Sequence, residues 1–201
     1  MSTLNILSLI IFCIFLTSYV MKLVILFKKD NIHANVLAKG HKISNIKYTE
    51  LFVKTTTFIW GATWLLLSLA ETFIVNLAGK HFDLPIVHFV GVGITGVGCF
   101  IFIQAMVAMR TSWRVGIDKT TATNLITHGI YRYSRNAAFV GFDLMFIGLY
   151  LMYPNLFTLA IVILNLLAIH LLILQEENHL KSVFGEEYEA YRNKTPRYMI
   201  L

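Results

Sequence analysis

Proline, cysteine and charged residues are all scarce in this chain of 201 residues. With 3 prolines and 12 glycines it is neither collagen-like nor a low-complexity chain. The 2 cysteines, Cys13 and Cys99, fall inside apolar runs and are interpreted as small buried hydrophobes, not as a disulfide or a metal pair. Charged residues make up 14% of the chain, whereas an average soluble domain has roughly 25%. The composition therefore predicts a polytopic membrane protein.

Long apolar runs are what the chain has instead. A bilayer core of ~30 Å requires about 20 apolar residues in a helix. Three runs meet this length on their own: Leu4 to Phe27, Thr55 to Ala78, and Leu84 to Met109. A fourth run, from Ala137 to Leu174, is too long for one span, and Pro154 divides it because proline cannot continue a helix. We predict a helical hairpin with legs near 137–152 and 156–174, and hence an all-α bundle of five transmembrane helices.

Basic residues are concentrated in alternate loops. They are Lys28, Lys29, Lys39, Lys42 and Lys47 after the first span, Arg110, Arg114, Lys119, Arg132 and Arg135 after the third, and Lys181, Arg192, Lys194 and Arg197 after the fifth. The opposite loops carry only Lys80. By the positive-inside rule, the N-terminus lies outside, and the basic loops and the tail lie in the cytoplasm. The net charge of +6 is thus a topology signal and not a nucleic-acid footprint.

The sequence Gly91-Val92-Gly93-Ile94-Thr95-Gly96 has the spacing of a dinucleotide-binding loop. That motif requires a preceding strand and a following helix, whereas here it lies within an apolar span. We interpret these glycines, together with Gly98, as small residues that allow helices to approach closely. Among the other polar residues near the spans, Asp143 either faces a cavity or bonds a neighbouring helix, and His170 is interpreted as a buried, hydrogen-bonded histidine.

Polar chemistry is concentrated after residue 110. The stretch from Ser112 to Gly141 is a long polar loop between two spans, and loops of that length are usually functional. Leu180, Phe184, Tyr188 and Tyr191 form one apolar stripe on a predicted short amphipathic tail helix, which lies on the membrane or caps a cavity. Next to the loop, Glu176 and Glu177 provide two carboxylates that can hold a cation or a zwitterion.

These residues resemble the isoprenylcysteine carboxyl methyltransferase family, to which the phospholipid methyltransferases are related. The resemblance covers residues 112–197 and consists of Leu125-Ile126-Thr127-His128-Gly129-Ile130-Tyr131, Arg135-Asn136-Ala137-Ala138-Phe139-Val140-Gly141, Glu176-Glu177, Leu180, Phe184-Gly185, Tyr188, Tyr191 and Pro196-Arg197. It implies an integral membrane methyltransferase that binds S-adenosyl-L-methionine and acts on a lipophilic acceptor. Residues 1–109 would then be N-terminal transmembrane helices, and residues 110–201 the methyltransferase core.

Site residues follow from the resemblance by position. The cofactor-binding positions are Thr123, Asn124, Leu125, Ile126, Tyr131, Asn136, Ala137, Ala138, Phe139 and Glu176. We expect Arg135 to pair with an anion, and an ammonium acceptor would lose its proton to Glu177, His128 or water. No metal is expected, and the substrate is a lipid or a lipid-modified small molecule.

Two positions depart from the family pattern. Asn136-Ala137 replaces a His-Pro pair, and Leu172 replaces an arginine four residues before the first glutamate. Because an arginine suits a carboxylate substrate, Leu172 predicts that a prenylcysteine carboxylate is a poor acceptor and that a lipid amine is a better one. Two alternatives stay open: an NADPH-binding enzyme similar to sterol reductases, and a membrane scaffold without catalytic activity.

Overall fold

The computed structural model describes residues 1–40, 42–118, 121 and 123–199, without the side chains of 76–78. Lys119 lies outside the described residues. The described residues form six α-helices: α1 (Thr3–Asp30), α2 (Ser44–Ala78), α3 (Pro85–Met109), α4 (Ala137–Met152), α5 (Leu156–Phe184) and α6 (Glu186–Lys194). Short 3-10 helices lie at Arg110–Ser112 and Gly129–Arg132.

The helices confirm the predicted membrane bundle. By length and composition, α1, α2, α3 and α5 can each cross a membrane. The apolar helix α4 has 16 residues, which corresponds to about 24 Å of helix. It is therefore somewhat shorter than a hydrocarbon core of ~30 Å. The bundle consists of four full-length helices and this shorter fifth one.

Two helix boundaries differ from the prediction. Helix α2 begins at Ser44 and not near residue 55. The predicted short tail helix is present as α6 and includes Tyr188 and Tyr191. Contrary to the prediction, Leu180 and Phe184 do not belong to it, because α5 continues to Phe184. Neither glycine nor proline interrupts the chain between Leu156 and Phe184, so the helix passes from apolar into polar sequence without a break. It ends at Gly185, whose φ of 52° is unfavourable for other residues.

Helices α3 and α4 pack closely through glycines. A Cβ atom at Gly91 would lie 2.7 Å from the backbone nitrogen of Met152, and one at Gly98 would lie 2.6 Å from the carbonyl oxygen of Gly141. These distances are too short for any side chain, so Gly91 and Gly98 serve helix packing, as expected. Gly93 differs, because a Cβ there would meet nothing within 4 Å.

The two ends of the bundle have different connections. At the loop end, which we define as residues 31–40, 42–43, 110–118, 121, 123–136 and 185–199, the backbone of Val115 hydrogen-bonds with Ala34 and Val36 at 2.8 and 3.0 Å. At the turn end, which we define as residues 79–84 and 153–155, His81 N donates to the carbonyl oxygen of Pro154 at 2.8 Å. The basic loops and the tail therefore lie together at one end, as the distribution of charge predicted.

A capping box starts α5 at the turn end. The Asn155 side chain accepts a hydrogen bond from Thr158 N at 2.9 Å, and the Thr158 hydroxyl oxygen accepts one from Asn155 N at 3.2 Å. Such a box satisfies backbone donors that a helix start leaves without partners. The Pro154 region thus ends one helix and begins the next, which confirms the hairpin.

Aromatic side chains fill the centre of the bundle. Trp60 and Trp64 are fully buried, and Phe15, Phe102 and Phe142 pack around them with ring centroids about 5–6 Å apart. Cys99 is buried and Cys13 is exposed on α1, and both are free thiols. The expectation that both cysteines are buried is therefore wrong for Cys13, which lies on the outward face of its helix.

Candidate active site

A cavity of about 650 Å³ lies inside the loop end and extends between the helices. Side chains of the five helices α1 to α5 line it, together with the polar loop after α3. Ten of the residues predicted from the sequence line this cavity: Thr123, Asn124, Leu125, Ile126, Tyr131, Arg135, Asn136, Ala138, Phe139 and Glu176. Ala137 and Glu177 do not line it, and neither does His128, which is exposed.

The two adjacent glutamates of α5 have different surroundings. Glu176 is half-buried and lines the cavity. Glu177 is buried and turned toward Arg135, Asn136 and Arg197. Consecutive helical positions point about 100° apart, so one carboxylate faces the cavity while the other faces protein.

Glu177 is held by three side chains that we call the Glu177 cluster: Arg135, Asn136 and Arg197. Arg135 Nη2 donates to Glu177 Oε1 at 3.1 Å, and Asn136 Nδ2 donates to the same oxygen at 3.0 Å. Arg197 Nη2 donates to Glu177 Oε2 at 2.9 Å. The side chains of Arg135 and Glu177 are each only 8% exposed. This charge is compensated within the protein, and the cluster joins the start of α4 to the tail.

The Asn136-Ala137 departure is accommodated without proline. Ala137 is the first residue of α4 and is fully buried. The backbone N–H of Asn136 donates a hydrogen bond to the hydroxyl oxygen of Ser134 at 3.1 Å. The helix therefore starts at the expected residue, and the Asn136 amide serves as a donor to Glu177.

Three tyrosines near the site remain neutral phenols. Burial raises the pKa of Tyr131 and of Tyr191, and it raises the pKa of Tyr188 to about 12. The negative charge of Glu176 adds to the shift of Tyr131. Tyr191 uses its hydroxyl to donate to the carbonyl oxygen of Tyr131 at 2.6 Å. Deprotonation of these phenols requires a pH far above neutrality, and two of them, Tyr131 and Tyr191, line the cavity.

Three cavity-lining residues carry buried donors that have no acceptor within the described part of the chain. They are the indole Nε1 of Trp60, the indole Nε1 of Trp113 and the Nε of Arg135. Buried donors usually find a partner, so these three atoms are available to a ligand with acceptor atoms. S-adenosyl-L-methionine combines acceptors on its carboxylate and adenine with a cationic sulfonium and ammonium. An acidic residue, three donors without a partner in the described residues and aromatic walls fit that combination of groups.

Sequence reasoning missed a second buried carboxylate, Glu50 on α2. It is fully buried and accepts hydrogen bonds from Ala38 N at 2.7 Å and Ile117 N at 2.8 Å, and it pairs with Lys42 at 2.7 Å. Gly116 allows this approach, since its φ is 90° and a Cβ there would lie 3.0 Å from a Glu50 oxygen. A glutamate directly before an apolar run was the available signal. Glu50 holds the loop segment 113–118, which lines the cavity.

The remaining predicted polar residues have other neighbours. Arg114 Nε donates to Asp118 at 3.1 Å, and His179 Nε2 lies 3.1 Å from the carbonyl oxygen of Asp118. Asp143 Oδ1 is buried without a hydrogen-bond partner in the described residues, and Asp143 does not line the cavity. His170 is half-buried and lies 2.7 Å from the Tyr198 hydroxyl, which confirms its interpretation as a hydrogen-bonded histidine. No group of His, Cys, Asp or Glu in the described residues forms a metal site.

Comparison with known proteins identifies the family. A family model described as phospholipid methyltransferase matches residues 86–187. The matched segment includes α3, the polar loop, α4, α5 and the beginning of α6. It covers half of the chain, so this protein belongs to the phospholipid methyltransferase family. No curated protein and no solved structure matches the chain.

Proposed function

We propose that this membrane methyltransferase uses S-adenosyl-L-methionine and methylates the amine of a lipid. One observation carries the proposal: a carboxylate, Glu176, faces a 650 Å³ cavity whose walls are the loop segment 123–126, the start of α4 and a set of aromatic rings. Family membership supports methyl transfer over the sterol-reductase-like alternative. Residues 110–201 are proposed as the methyltransferase core, and the helices of residues 1–109 supply the apolar wall.

Cofactor binding is proposed for the polar side of the cavity. Glu176 would hold the ammonium group, because a partly desolvated carboxylate forms a strong charge-assisted hydrogen bond with a cation. Arg135 Nε and Trp113 Nε1 would donate to acceptor atoms of the same ligand. When bound, the cofactor supplies an electrophilic methyl group on a sulfonium. The protein's contribution is to align donor and acceptor and to exclude water.

A lipid amine suits this cavity better than a carboxylate does. Leu172 is buried and lines the cavity, so an apolar side chain occupies the position of the family's arginine. Of the cavity's arginines, Arg135 is paired with Glu177 and Arg114 with Asp118. Aromatic rings such as Trp60 and Phe142 can also contact an alkylated ammonium through cation–π interactions. These features favour an amine, whose neutral nitrogen acquires a positive charge when it takes the methyl group from the sulfonium.

Proton transfer from an ammonium acceptor is assigned to water. Glu177 was a candidate base, but its oxygens are engaged by Arg135, Asn136 and Arg197. We therefore propose that Glu177 is a positioning residue. The Lys and Arg residues of the loop end support a cytoplasmic location of the site, by the positive-inside rule.

The proposal is tested with purified protein in nanodiscs. We expect calorimetric titration with S-adenosyl-L-methionine to give saturable binding, and titration with NADPH to give none. Methyl transfer from the labelled cofactor should proceed to phosphatidylethanolamine, with little or no transfer to a farnesylcysteine analogue. Binding of NADPH alone would support the reductase alternative, and binding of neither would support the scaffold alternative. Efficient methylation of farnesylcysteine would contradict the amine assignment.

A further inference from the structure

We propose that a groove between α1 and α2 holds one hydrocarbon chain of the acceptor lipid, and that Gly61 determines how much chain the groove admits. The inference deepens the proposed function, because it assigns the apolar part of the same cavity. It concerns the first two helices, which lie outside the segment matched by the family model.

One face of α2 forms the first wall of the groove. Lys54, Phe58, Gly61 and Leu65 all line the cavity, at the i, i+4, i+7 and i+11 spacing of a continuous helical stripe. Trp60 borders this stripe and also lines the cavity, whereas Trp64 is fully buried and does not line it. The α2 stripe is therefore available to a ligand, while Trp64 packs into the protein core.

Helix α1 forms the second wall. Phe12, Leu16 and Tyr19 line the cavity at spacings of four and three residues. At the inner end of the groove, the rings of Phe12 and Trp64 meet edge to face at 5.2 Å between centroids. This aromatic pair closes the groove toward the turn end.

The length of the groove matches one leaflet of a bilayer. From Lys54 to Leu65 the helix rises 11 residues, or about 16 Å. A hydrocarbon core of ~30 Å gives about 15 Å to each leaflet. The groove is therefore as long as one leaflet is deep. It can hold the hydrocarbon chain of a lipid in the leaflet next to the loop end.

The groove is open to the bilayer on one side. Phe58 is 75% exposed, Leu16 is 44% exposed, and Leu65 is 36% exposed. Its other side is continuous with the cavity that contains Glu176. A lipid can thus keep its chain in the groove while its headgroup reaches the polar side of the cavity. This continuity identifies the occupant as the acceptor's own chain.

Gly61 is the smallest residue of this wall. It lines the cavity, and a Cβ built on it would meet nothing within 4 Å. A larger side chain there fits the protein without a backbone clash, but it occupies space that the chain requires. Gly93 on α3 provides a matched control, because it also has nothing within 4 Å of a Cβ and does not line the cavity.

The first experiment compares Gly61→Leu with Gly93→Leu in the methylation assay, using dioleoyl and dihexanoyl phosphatidylethanolamine. We expect Gly61→Leu to lower kcat/KM for the long-chain lipid about tenfold or more, and to leave the short-chain lipid and cofactor binding nearly unchanged. Gly93→Leu should behave like wild type. Equal activity of both variants on the long-chain lipid would overturn the inference. Equal loss on both lipids would also overturn it, since it would indicate general damage.

The second experiment does not depend on catalysis. Phosphatidylethanolamine with a diazirine in its acyl chain is photolysed in nanodiscs with wild-type protein, and the labelled peptides are identified by mass spectrometry. We expect labelling concentrated in residues 12–19 and 54–65, and reduced there by Gly61→Leu but not by Gly93→Leu. Uniform labelling of all exposed helix faces would overturn the groove. If the label marks the groove while wild-type protein transfers no methyl group, the proposed function fails and the groove stands.

Discussion

The loop end and the turn end of this bundle both bury polar groups, but they satisfy them differently. At the turn end, Tyr153 donates its hydroxyl to Asn5 Oδ1 of α1 at 3.0 Å, and in the adjoining helices Trp64 Nε1 donates to the Ser8 hydroxyl at 2.9 Å. At the loop end, Trp113 Nε1 and Arg135 Nε are buried beside a cavity without acceptors in the described residues. The contrast separates polar groups that pair with one another within the fold from polar groups that border the cavity without a partner in the described residues.

The loop end itself contains both kinds of group. The Glu177 cluster and the contacts of Glu50 are internally complete, and they hold the tail and the loops around the cavity. Glu176, next in the chain to Glu177, faces the cavity instead. A polar residue's role here depends on the direction of its side chain, and not on which end of the bundle it occupies.

The largest expected effect concerns the sides of the membrane on which the two ends of the bundle lie. Each end is labelled either from one side or from the other, so the outcome is all or none. In a variant with Cys13→Ser and Cys99→Ala, single cysteines are introduced at Thr127, Asn193 and Lys80, which are all exposed. We expect an impermeant thiol reagent to label the first two positions only from the cytoplasmic side and the third only from the opposite side. Labelling of Thr127 and Asn193 from opposite sides would contradict the topology.

Glu177→Gln should give the largest loss of stability. The substitution leaves Arg135, whose side chain is 8% exposed, without its charged partner. Breaking a buried pair in this way costs about 3–5 kcal/mol, so we expect a clear drop in the thermal midpoint in detergent. The dissociation constant for the cofactor should change little in the protein that remains folded, because Glu177 does not line the cavity.

Glu189→Gln is the matched control for that experiment. Glu189 is also paired with cations, Lys181 at 2.7 Å and Arg192 at 3.6 Å, but this cluster is exposed to solvent. Exposed pairs contribute little to stability, so the midpoint should not change measurably. Equal shifts for the two variants would contradict the structural role assigned to the Glu177 cluster.

Much of the fold was predictable from sequence because membrane spans are long apolar runs with simple boundaries. Pro154 and the distribution of Lys and Arg were sufficient to predict the hairpin and the common location of the basic loops. The length of α5 was not predictable in the same way. Hydropathy falls after residue 174, but a helix ends only where the backbone is interrupted, and the first interruption is Gly185.

The site was predictable only in part. Motif spacing selected the loop and Glu176, which lie in separate parts of the chain and line the same cavity in the structure. It also gave Glu177 as a candidate base, because the sequence does not show that this side chain points away from the cavity toward Arg135, Asn136 and Arg197. Glu50 was missed because its partners, Ala38 and Ile117, come from two separate loops that meet only in the folded chain.

Glu176→Gln tests whether the carboxylate that faces the cavity binds the cofactor. The change preserves side-chain size and removes the charge proposed to hold the cofactor's ammonium. A hydrogen bond to a charged group contributes about 1.5–3 kcal/mol, so we expect binding of S-adenosyl-L-methionine to weaken by up to about two powers of ten. Folding and insertion should be retained, as measured by the thermal midpoint. Equal, small effects of Glu176→Gln and Glu177→Gln on the dissociation constant would contradict the assignment.

Tyr153→Phe gives the smallest expected effect and tests the turn end. Tyr153 is 2% exposed, and its hydroxyl donates to Asn5, so the phenylalanine leaves Asn5 Oδ1 without that donor. A typical hydrogen bond contributes about 1 kcal/mol to stability, and the thermal midpoint should fall slightly. Cofactor binding and methylation per folded molecule should be unchanged, because Tyr153 does not line the cavity. The control is Tyr48→Phe, which removes a hydroxyl from a side chain that is 69% exposed and should leave the midpoint unchanged. If Tyr153→Phe weakened cofactor binding while the midpoint held, the polar groups of the turn end would be coupled to the site, and the distinction between the two ends would fail.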